Sequence, residues 1–286
     1  MVANFGEAGP SFERGRDETE CAVRWIHVVV VNGVTTFRVG RCGASLVADW
    51  PSLGTLTCRS DGEGASFEPV IGAPSTAVEK LRRGYVRALV ESLRGKLALH
   101  GSAVASKAGA VLFLGSSGAG KSTAAAELCL VGGDELLADD VVLLNADAMP
   151  IAVLPTEGEH WLTAESRAAL GLQCASELAN ESKVAVCARR LATGAKPLAL
   201  VVVLRFDPSA GGPSFHLLRG VAAARSVLEA ILRFDVDDGE ARRREIDQLA
   251  RLHESAPTVE LIRNPARPEG VAEFVSEMLC LKSVAP

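Results

Sequence analysis

A glycine-rich segment, Gly115–Ser122, constrains this chain more than any other feature. Its sequence, Gly-Ser-Ser-Gly-Ala-Gly-Lys-Ser, fits the pattern G-x-x-x-x-G-K-[S/T] in full. An apolar run, Val111–Leu114, precedes the segment and an alanine-rich run follows it, so it lies where a strand passes into a helix. A chain of this composition would contain about 0.007 such matches by chance. The segment therefore predicts a phosphate-binding loop inside an α/β domain.

The residue types of this loop have separate chemical uses. Glycines let successive backbone N–H groups turn toward phosphate oxygens, and the following helix adds the positive end of its dipole. We expect Lys121 to reach the β- and γ-phosphates and the Ser122 hydroxyl to bind Mg²⁺. ATP with Mg²⁺ is therefore the expected ligand. The predicted nucleotide-binding residues are Gly115, Ser116, Ser117, Gly118, Ala119, Gly120, Lys121, Ser122 and Thr123.

A pair of aspartates, Asp139 and Asp140, follows the loop inside the apolar segment Leu136–Val142. An acidic residue on a strand after a phosphate loop is a common arrangement for holding Mg²⁺, and a second carboxylate can accept the proton of an attacking hydroxyl. We interpret Asp140 as the metal-orienting residue and Asp139 as the proton acceptor, an order that the sequence does not decide. Because adjacent strand residues point to opposite faces, we expect strand pairing to break at this pair.

The N-terminal part of the chain has a different pattern. Residues 1–20 are polar and lack periodicity, which predicts a flexible arm. Residues 21–72 contain short β-type runs, and Asn32-Gly33 between two of them predicts a hairpin. From Ser75 the apolar residues recur with helical spacing, which predicts a linking helix to about Leu93. Its basic residues are expected to form a solvated face: Lys80, Arg82, Arg83 and Arg87.

From Leu97 onward the pattern alternates between strands and helices, which predicts an α/β domain with a central mixed sheet. A hairpin over 97–114 would place residues 99–101 beside the start of the phosphate loop. The further predicted strands are Glu135–Asn145, Ala152–Leu154, Leu198–Arg205, Ser214–Leu218 and Thr258–Ile262, and the further helices are Lys121–Leu130, Ala164–Leu170, Ala222–Phe234, Gly239–His253 and Pro268–Lys282. We therefore expect three regions: the arm at 1–20, a β-rich lobe with its linking helix at 21–96, and the phosphate-loop domain at 97–286.

Composition and charge narrow the class of protein. The formal net charge of −5 has no basic excess, so we expect no nucleic-acid partner. No apolar run is long enough for a membrane span, and the N-terminus lacks the pattern of a secretory signal, so we expect a cytoplasmic protein without a membrane partner. Seven cysteines without a C-x-x-C pair predict thiols rather than disulfides or a zinc site. Self-association is left open.

His100-Gly101-Ser102, the loop Gly115–Ser122 and Ala138-Asp139-Asp140, in this order and spacing, resemble the catalytic domain of HPr kinase/phosphorylase and its stand-alone relatives. The resemblance covers about residues 97–145 well. It implies a phosphoenolpyruvate-carboxykinase-like P-loop fold that transfers the γ-phosphate of ATP to a serine hydroxyl. It also implies that His100 lies beside the phosphates and that His100, Lys121, Asp139 and Asp140 form the catalytic set.

Two departures from the bifunctional family refine this expectation: a missing sequence stretch, and a small N-terminal β module that differs from the N-terminal domain expected of the bifunctional enzymes. The family's Glu-Ile-Arg-Gly stretch has no counterpart here, and Glu157, Glu159 and Glu165 are the candidates to replace its acid. The compact layout is more similar to the HPr-kinase-related kinases of peptide-modification systems, including lasso-peptide gene clusters, which phosphorylate a serine near the C-terminus of a precursor peptide. The candidate cations for the γ-phosphate or the acceptor are Lys183, Arg189 and Arg190, for which a solvated loop is an equal interpretation.

Three functional hypotheses follow. The first is an Mg-ATP-dependent serine kinase that acts on a peptide or a small protein. The second is a nucleotide-dependent regulatory switch, and the third is a kinase of a small hydroxylated metabolite. The acidic pair and His100 favour transfer to an acceptor over simple switching.

Overall fold

The computed structural model describes residues 22–172, 183–234, 238–264 and 270–284. The arm predicted at 1–20 lies outside these residues. Among the residues that are described, no helix is long and apolar enough to cross a membrane. Within the same ranges no cysteine forms a disulfide, as the cysteine pattern predicts.

The first five strands form an antiparallel sheet in chain order. They are β1 (Arg24–Val31), β2 (Val34–Cys42), β3 (Ser45–Trp50), β4 (Gly54–Arg59) and β5 (Ser66–Pro69). The predicted hairpin is present between β1 and β2, where Asn32 and Gly33 have φ values of 50° and 77°. Both turn residues thus adopt the left-handed conformation that Asn-Gly tolerates best.

The predicted linking helix is present, but its hydrogen-bond pattern changes midway. It comprises α1 (Ser75–Leu81), a π-helical turn (Arg82–Val86) and α2 (Arg87–Leu93). Its buried residues pack against the five-stranded sheet, and they also reach Ala98, Val141 and Leu143 of the next sheet. This hydrophobic core therefore spans the boundary between residues 21–96 and 97–286, so the division into two domains stays a prediction.

The rest of the described chain is a mixed α/β structure. Its strands are β6 (Leu97–Ser106), β7 (Gly109–Leu114), β8 (Glu135–Asn145), β9 (Ala152–Leu154), β10 (Glu159–Leu162), β11 (Val184–Cys187), β12 (Lys196–Phe206), β13 (Ser214–Leu218) and β14 (Thr258–Arg263). Seven of them form one sheet in the order β13-β14-β12-β7-β6-β8-β9, and β9 also pairs with β12. β12 runs parallel to β7 and β14, while the other neighbours are antiparallel.

Helices cover both faces of this sheet. They are α3 (Lys121–Glu127), α4 (Ala164–Ala169), α5 (Gly220–Leu228), α6 (Gly239–Ser255) and α7 (Val271–Val284), and a second π-helical turn (Leu128–Gly132) continues α3. One core joins the sheet to α3 and α7, and another joins it to α5 and α6. The predicted central mixed sheet is thus confirmed, with alanines in α3 allowing close packing.

Strand register places the polar motifs side by side. Ser102 of β6 lies opposite Phe113 of β7 and, on its other side, opposite Asp139 of β8. Gly101 lies opposite Asp140. The segment before Ser102 is therefore next to the end of β7, where the phosphate loop begins, as the hairpin prediction requires. A Cβ on Gly101 would lie 2.8 Å from the Phe113 carbonyl oxygen, so this approach needs glycine.

Two segments differ from the sequence prediction. The helix predicted over 222–234 ends at Leu228, because the backbone of residues 230–232 pairs with the half of β6 that β7 leaves open. His100 N–H donates to Ala230 O, and Leu232 N–H donates to Ala98 O. The β10–β11 pair was not predicted, since its four-residue strands carry too short a pattern to stand out.

The shared core predicts cooperative unfolding. We expect Leu89→Ala, which truncates a side chain of α2 that is 1% exposed, to cost about 2–5 kcal/mol of unfolding free energy. The matched control Ile246→Ala, at a side chain that is 65% exposed, should change it by less than about 0.5 kcal/mol. Urea unfolding followed by fluorescence and circular dichroism measures both. Two separate transitions would contradict a core shared between the lobe and the large sheet.

A buried histidine predicts acid sensitivity. His160 of β10 is 3% exposed, and burial lowers its pKa to about 4. The unfolded chain binds this proton near pH 6.5, so stability should fall as the pH drops from 6.5 to 4, by about 3 kcal/mol from this residue. We expect His160→Leu to flatten the pH dependence of the unfolding free energy. Parallel curves for His160→Leu and the parent would contradict this assignment.

Candidate functional site

The phosphate loop joins β7 to α3 and has the backbone that its glycines allow. Gly115, Gly118 and Gly120 have φ values of 139°, 81° and 86°. A Cβ at Gly115 would lie 2.4 Å from the Leu204 carbonyl oxygen, so the loop can leave the sheet only through glycine here. Gly120 caps α3 in the left-handed conformation. The loop therefore sits against the sheet, at the N-terminus of a helix.

Lys121 bends back over the loop that precedes it. Its side chain is buried, and its Nζ donates to the carbonyl oxygens of Gly115 at 3.0 Å and Ser116 at 3.1 Å. Burial and the positive charge of Lys183 hold the pKa of Lys121 below its ordinary value, although Asp140 and Asp139 act in the opposite direction. The ammonium group is thus crowded by another cation, a situation that a bound anion would relieve.

Asp139 is buried and connects three elements. It is 0% exposed. Its carboxylate accepts hydrogen bonds from the Ser102 hydroxyl of β6 and from the Trp161 backbone N–H of β10 at 2.7 Å, and the Ser122 hydroxyl of α3 lies near it. Burial raises the pKa of the carboxyl, and these hydrogen bonds offset part of the rise. A side chain in this buried position can orient Ser122, but it does not reach an acceptor molecule in the cleft.

Asp140 lies in the cleft, but the predicted break in pairing is wrong. Pairing between β6 and β8 is regular at both aspartates, and the irregular step lies beyond them, between Ala103 and Val104. Strict alternation would direct Asp140 into the core that holds Val142 and Leu144. Asp140 instead has φ 73°, a left-handed residue, and its side chain lines the cleft. A local backbone rotation thus replaces the expected break.

His100 lies beside Asp140. Its Nδ1 is 3.1 Å from the Asp140 carbonyl oxygen and 3.5 Å from Oδ1 of the same residue. Burial, with the positive charge of Lys121, holds the pKa of His100 below its ordinary value, although Asp140 acts in the opposite direction. The ring is therefore mainly neutral at pH 7, and it can orient the polar groups around it.

One cleft of about 580 Å³ is lined by His100, Asp140 and the loop residues Ser117, Gly118, Gly120, Lys121, Ser122 and Thr123, whereas Gly115, Ser116, Ala119 and Asp139 are not among its lining residues. Its floor is the phosphate loop with α3, and its opposite wall comes from the N-terminal lobe. The sequence did not predict this second wall. The wall and side residues missed from the sequence are Leu53, Thr76, Ala77, Lys80, Leu81, Gly84, Tyr85, Ser102, Trp161, Thr163 and Ser166.

Lys80 corrects the expectation of a solvated basic face. Its Nζ lies 3.7 Å from Asp140 Oδ2 and 3.8 Å from the centre of the Trp161 ring. Its neighbours behave as expected, because Arg82 and Arg83 pair with Glu79 at the surface. Helical spacing in the sequence could not distinguish Lys80 from these arginines. It does not show which surface the lobe packs against, and so it does not show which basic side chains remain in water.

Among the three candidate acids, Glu157 lines the cleft. Burial and the charges of Asp139 and Asp140 raise its pKa to about 9, so its carboxyl is neutral at pH 7. Glu159 contacts Arg83 at 3.7 Å just outside the main cleft, and Glu165 is exposed at the start of α4. Tyr85 faces the same acidic groups, and its own burial raises its pKa to about 12.

The candidate substrate cations separate in space. Lys183 lines the cleft. Arg190 instead donates to the Gly133 carbonyl oxygen at 2.6 Å and to Glu135 at 3.1 Å, near the start of β8. Neither Arg190 nor Arg189 is among the described residues that line the cleft. The structure thus brings Lys183 to the phosphate loop and leaves the arginine pair away from it.

The oxygen donors beside the loop fit a magnesium ion that arrives with a nucleotide. Within the described ranges, no group of three or more His, Cys, Asp or Glu side chains is placed to hold a metal ion. Mg²⁺ in nucleotide sites typically takes one or two carboxylates, with phosphate oxygens and water completing its shell. Ser122, Asp139 and Asp140 supply such donors next to the phosphate loop.

Comparisons with known proteins give distant structural likenesses. No family model matches the chain, and no curated protein matches it. A solved structure of the HPr(Ser) kinase/phosphatase from Coxiella burnetii matches with a TM-score of 0.33 and 12% sequence identity, covering 66% of this chain and 99% of that chain. At this level of similarity, the functional interpretation depends on the geometry of the cleft.

Proposed function

We propose that the chain is an Mg-ATP-dependent kinase that transfers the γ-phosphoryl group to a hydroxyl of a peptide or small protein, with serine as the expected acceptor. The proposed scaffold is a phosphoenolpyruvate-carboxykinase-like P-loop domain, related to HPr kinases. One observation carries the proposal: residues of the phosphate loop and Asp140 line the same cleft, and the buried Asp139 lies behind it near Ser122. A nucleotide-binding switch would need the phosphate loop, but it would not need a carboxylate facing the part of the cleft where the γ-phosphate would lie.

The loop side of the cleft is the proposed nucleotide site. Its backbone N–H groups and the N-terminus of α3 provide a cradle for phosphate oxygens. Lys121 and Lys183 repel each other across this space, and both depress the pKa of His100. Binding of a polyanion removes this repulsion, so the charge distribution supports a triphosphate as the ligand. Thr123, whose hydroxyl pairs with Ser166 at 2.8 Å, extends the polar lining beyond Ser122.

Mg²⁺ would be held by the Ser122 hydroxyl with the help of the acidic pair. When bound, it would neutralise charge on the phosphates and on the group that is transferred. The burial of Asp139 and its position near Ser122 support a metal-orienting role for this residue. This reverses the order that we inferred from the sequence, in which Asp140 oriented the metal.

Asp140 is the proposed proton acceptor, because its carboxylate reaches the cleft. In the proposed step, the acceptor hydroxyl oxygen forms a bond to the γ-phosphorus. The bond from that phosphorus to the bridging oxygen breaks, and ADP leaves with the electron pair. The hydroxyl proton passes to the Asp140 carboxylate. Lys121 stabilises the negative charge on the phosphoryl oxygens during transfer.

Removal of the loop lysine tests nucleotide chemistry. We expect Lys121→Ala to reduce ATP turnover at least 100-fold, because the charge on the transferred group loses its principal protein cation. Lys107→Ala, at an exposed turn, is the matched control and should retain parent activity. Phosphate or ADP release measures turnover, and circular dichroism checks the fold. Near-parent turnover in a folded Lys121→Ala protein would contradict the assignment of the loop.

Substitution of the two aspartates should change different kinetic parameters. We expect Asp140→Asn to lower kcat by about 10²–10⁴-fold with the Kd for ADP little changed, since a general base is lost. Asp139→Asn should raise the Mg²⁺ concentration needed for half-maximal turnover, because an amide cannot accept all the hydrogen bonds that reach this carboxylate. Asp147→Asn, at a side chain that is 71% exposed, is the control. The reverse pattern would restore the order inferred from the sequence.

Identification of the acceptor decides between a protein kinase and a metabolite kinase. Intact-mass spectrometry of serine-containing peptides, and of small hydroxylated compounds, after incubation with Mg-ATP would detect the added phosphoryl group. Peptides ending in serine test the lasso-precursor variant of the proposal. Binding of ATP without transfer to any acceptor would favour the regulatory switch.

A further inference from the structure

Lys80 is the residue through which the N-terminal lobe reaches the reacting end of the cleft. It belongs to α1, and its side chain is 26% exposed. Its ammonium lies 3.7 Å from Asp140 Oδ2 and 3.8 Å from the centre of the Trp161 indole. Two independent contacts therefore hold this flexible side chain in one direction, toward the carboxylate and away from water.

Trp161 contacts Asp139 directly and is connected to Asp140 through Lys80. Its backbone N–H donates to Asp139 at 2.7 Å, while its ring faces the Lys80 ammonium. An indole ring is the best partner for a cation among aromatic side chains, and a partly desolvated contact is stronger than an exposed one. Because Trp161 is only 6% exposed, little water competes with the ammonium for the face of its ring. The position of Lys80 is therefore tied to the same residue that holds Asp139.

The Asp140 carboxylate needs such a partner. Its left-handed backbone, φ 73°, directs the side chain into the cleft, where Glu157 and Asp139 are the neighbouring acids. Of the nearby groups, His100 contacts Oδ1 and Lys80 contacts Oδ2. The two carboxylate oxygens thus have different partners, one from the large sheet and one from the lobe.

We propose that Lys80 is a positioning residue for phosphoryl transfer: its ammonium, held by Trp161, orients the Asp140 carboxylate toward the acceptor hydroxyl, so that the N-terminal lobe completes the reacting end of the cleft. This inference rests on the proposed transfer function. It assigns the lobe to the step of transfer rather than to nucleotide binding, because Lys80 contacts Asp140 and no residue of the phosphate loop.

The test separates positioning from a structural role. Lys80→Met keeps an unbranched side chain, one heavy atom shorter, that can still contact the ring, but it removes the charge. We expect kcat to fall about 10–100-fold, as is typical when a partner that orients a functional ligand is lost. The Kd for ADP with Mg²⁺, measured by calorimetry, should stay within about twofold of the parent. Lys80→Arg should restore part of the rate, since a guanidinium can face both the ring and the carboxylate. Lys107→Met is the matched control for loss of a lysine charge.

A double-mutant cycle gives the decisive readout. If Lys80 acts through Asp140, Lys80→Met should slow the parent but have little further effect in an Asp140→Asn background. Additive losses, or a parent-like rate for Lys80→Met, would overturn the role of Lys80 and leave the proposed kinase in place. A parent protein that does not bind ADP, or that turns over no ATP with any acceptor, would instead overturn the proposed function, and this inference with it.

Discussion

A carboxyl group that water cannot reach organises the site. Asp139 is completely buried, and an isolated carboxylate in such a place would be prohibitively costly unless donors surround it. The donors come from β6 and β10, so the hydrogen bonds of Asp139 can form only when these two strands are correctly placed beside β8. The same carboxylate lies near the Ser122 hydroxyl at the phosphate loop. The hydrogen bonds that place Asp139 in the site therefore form only as the sheet itself folds.

One side of the cleft belongs to the large sheet and the other to the N-terminal lobe. On the side of the large sheet, Gly101 and Ser102 of β6 lie opposite Asp140 and Asp139 of β8, next to the end of β7 from which the phosphate loop leads. The second side is the linking helix, whose π-helical turn places Gly84 and Tyr85 at the cleft, and π-turns of this kind are frequent at functional sites. Since the two sides share one hydrophobic core, movement of the lobe would disturb buried packing as well as the cleft.

The sequence predicts those candidate residues whose arrangement depends on local patterns. The loop Gly115–Ser122, the acidic pair and the hairpin near His100 could be predicted because each depends on neighbours within a short stretch of chain. Lys80 and Trp161 could not, because their roles arise from a contact between the lobe and β10, which are far apart in the chain. The end of α5 was also misjudged, since the open half of β6 captured residues that have helical propensity. The two aspartates differ in burial, which depends on the tertiary structure. Because they are identical and adjacent in the sequence, no local pattern predicts which of them is buried.

Asp140 occupies a backbone conformation that costs a side chain about 1–3 kcal/mol and costs glycine almost nothing. The pairing of β6 with β8 is regular at this position, so Gly at position 140 would fit the sheet without rearrangement. Under the proposed function, a lineage in which phosphoryl transfer no longer mattered could replace this aspartate with glycine and lose the backbone strain at this position. Its inactive descendants would keep the phosphate loop as a binding device.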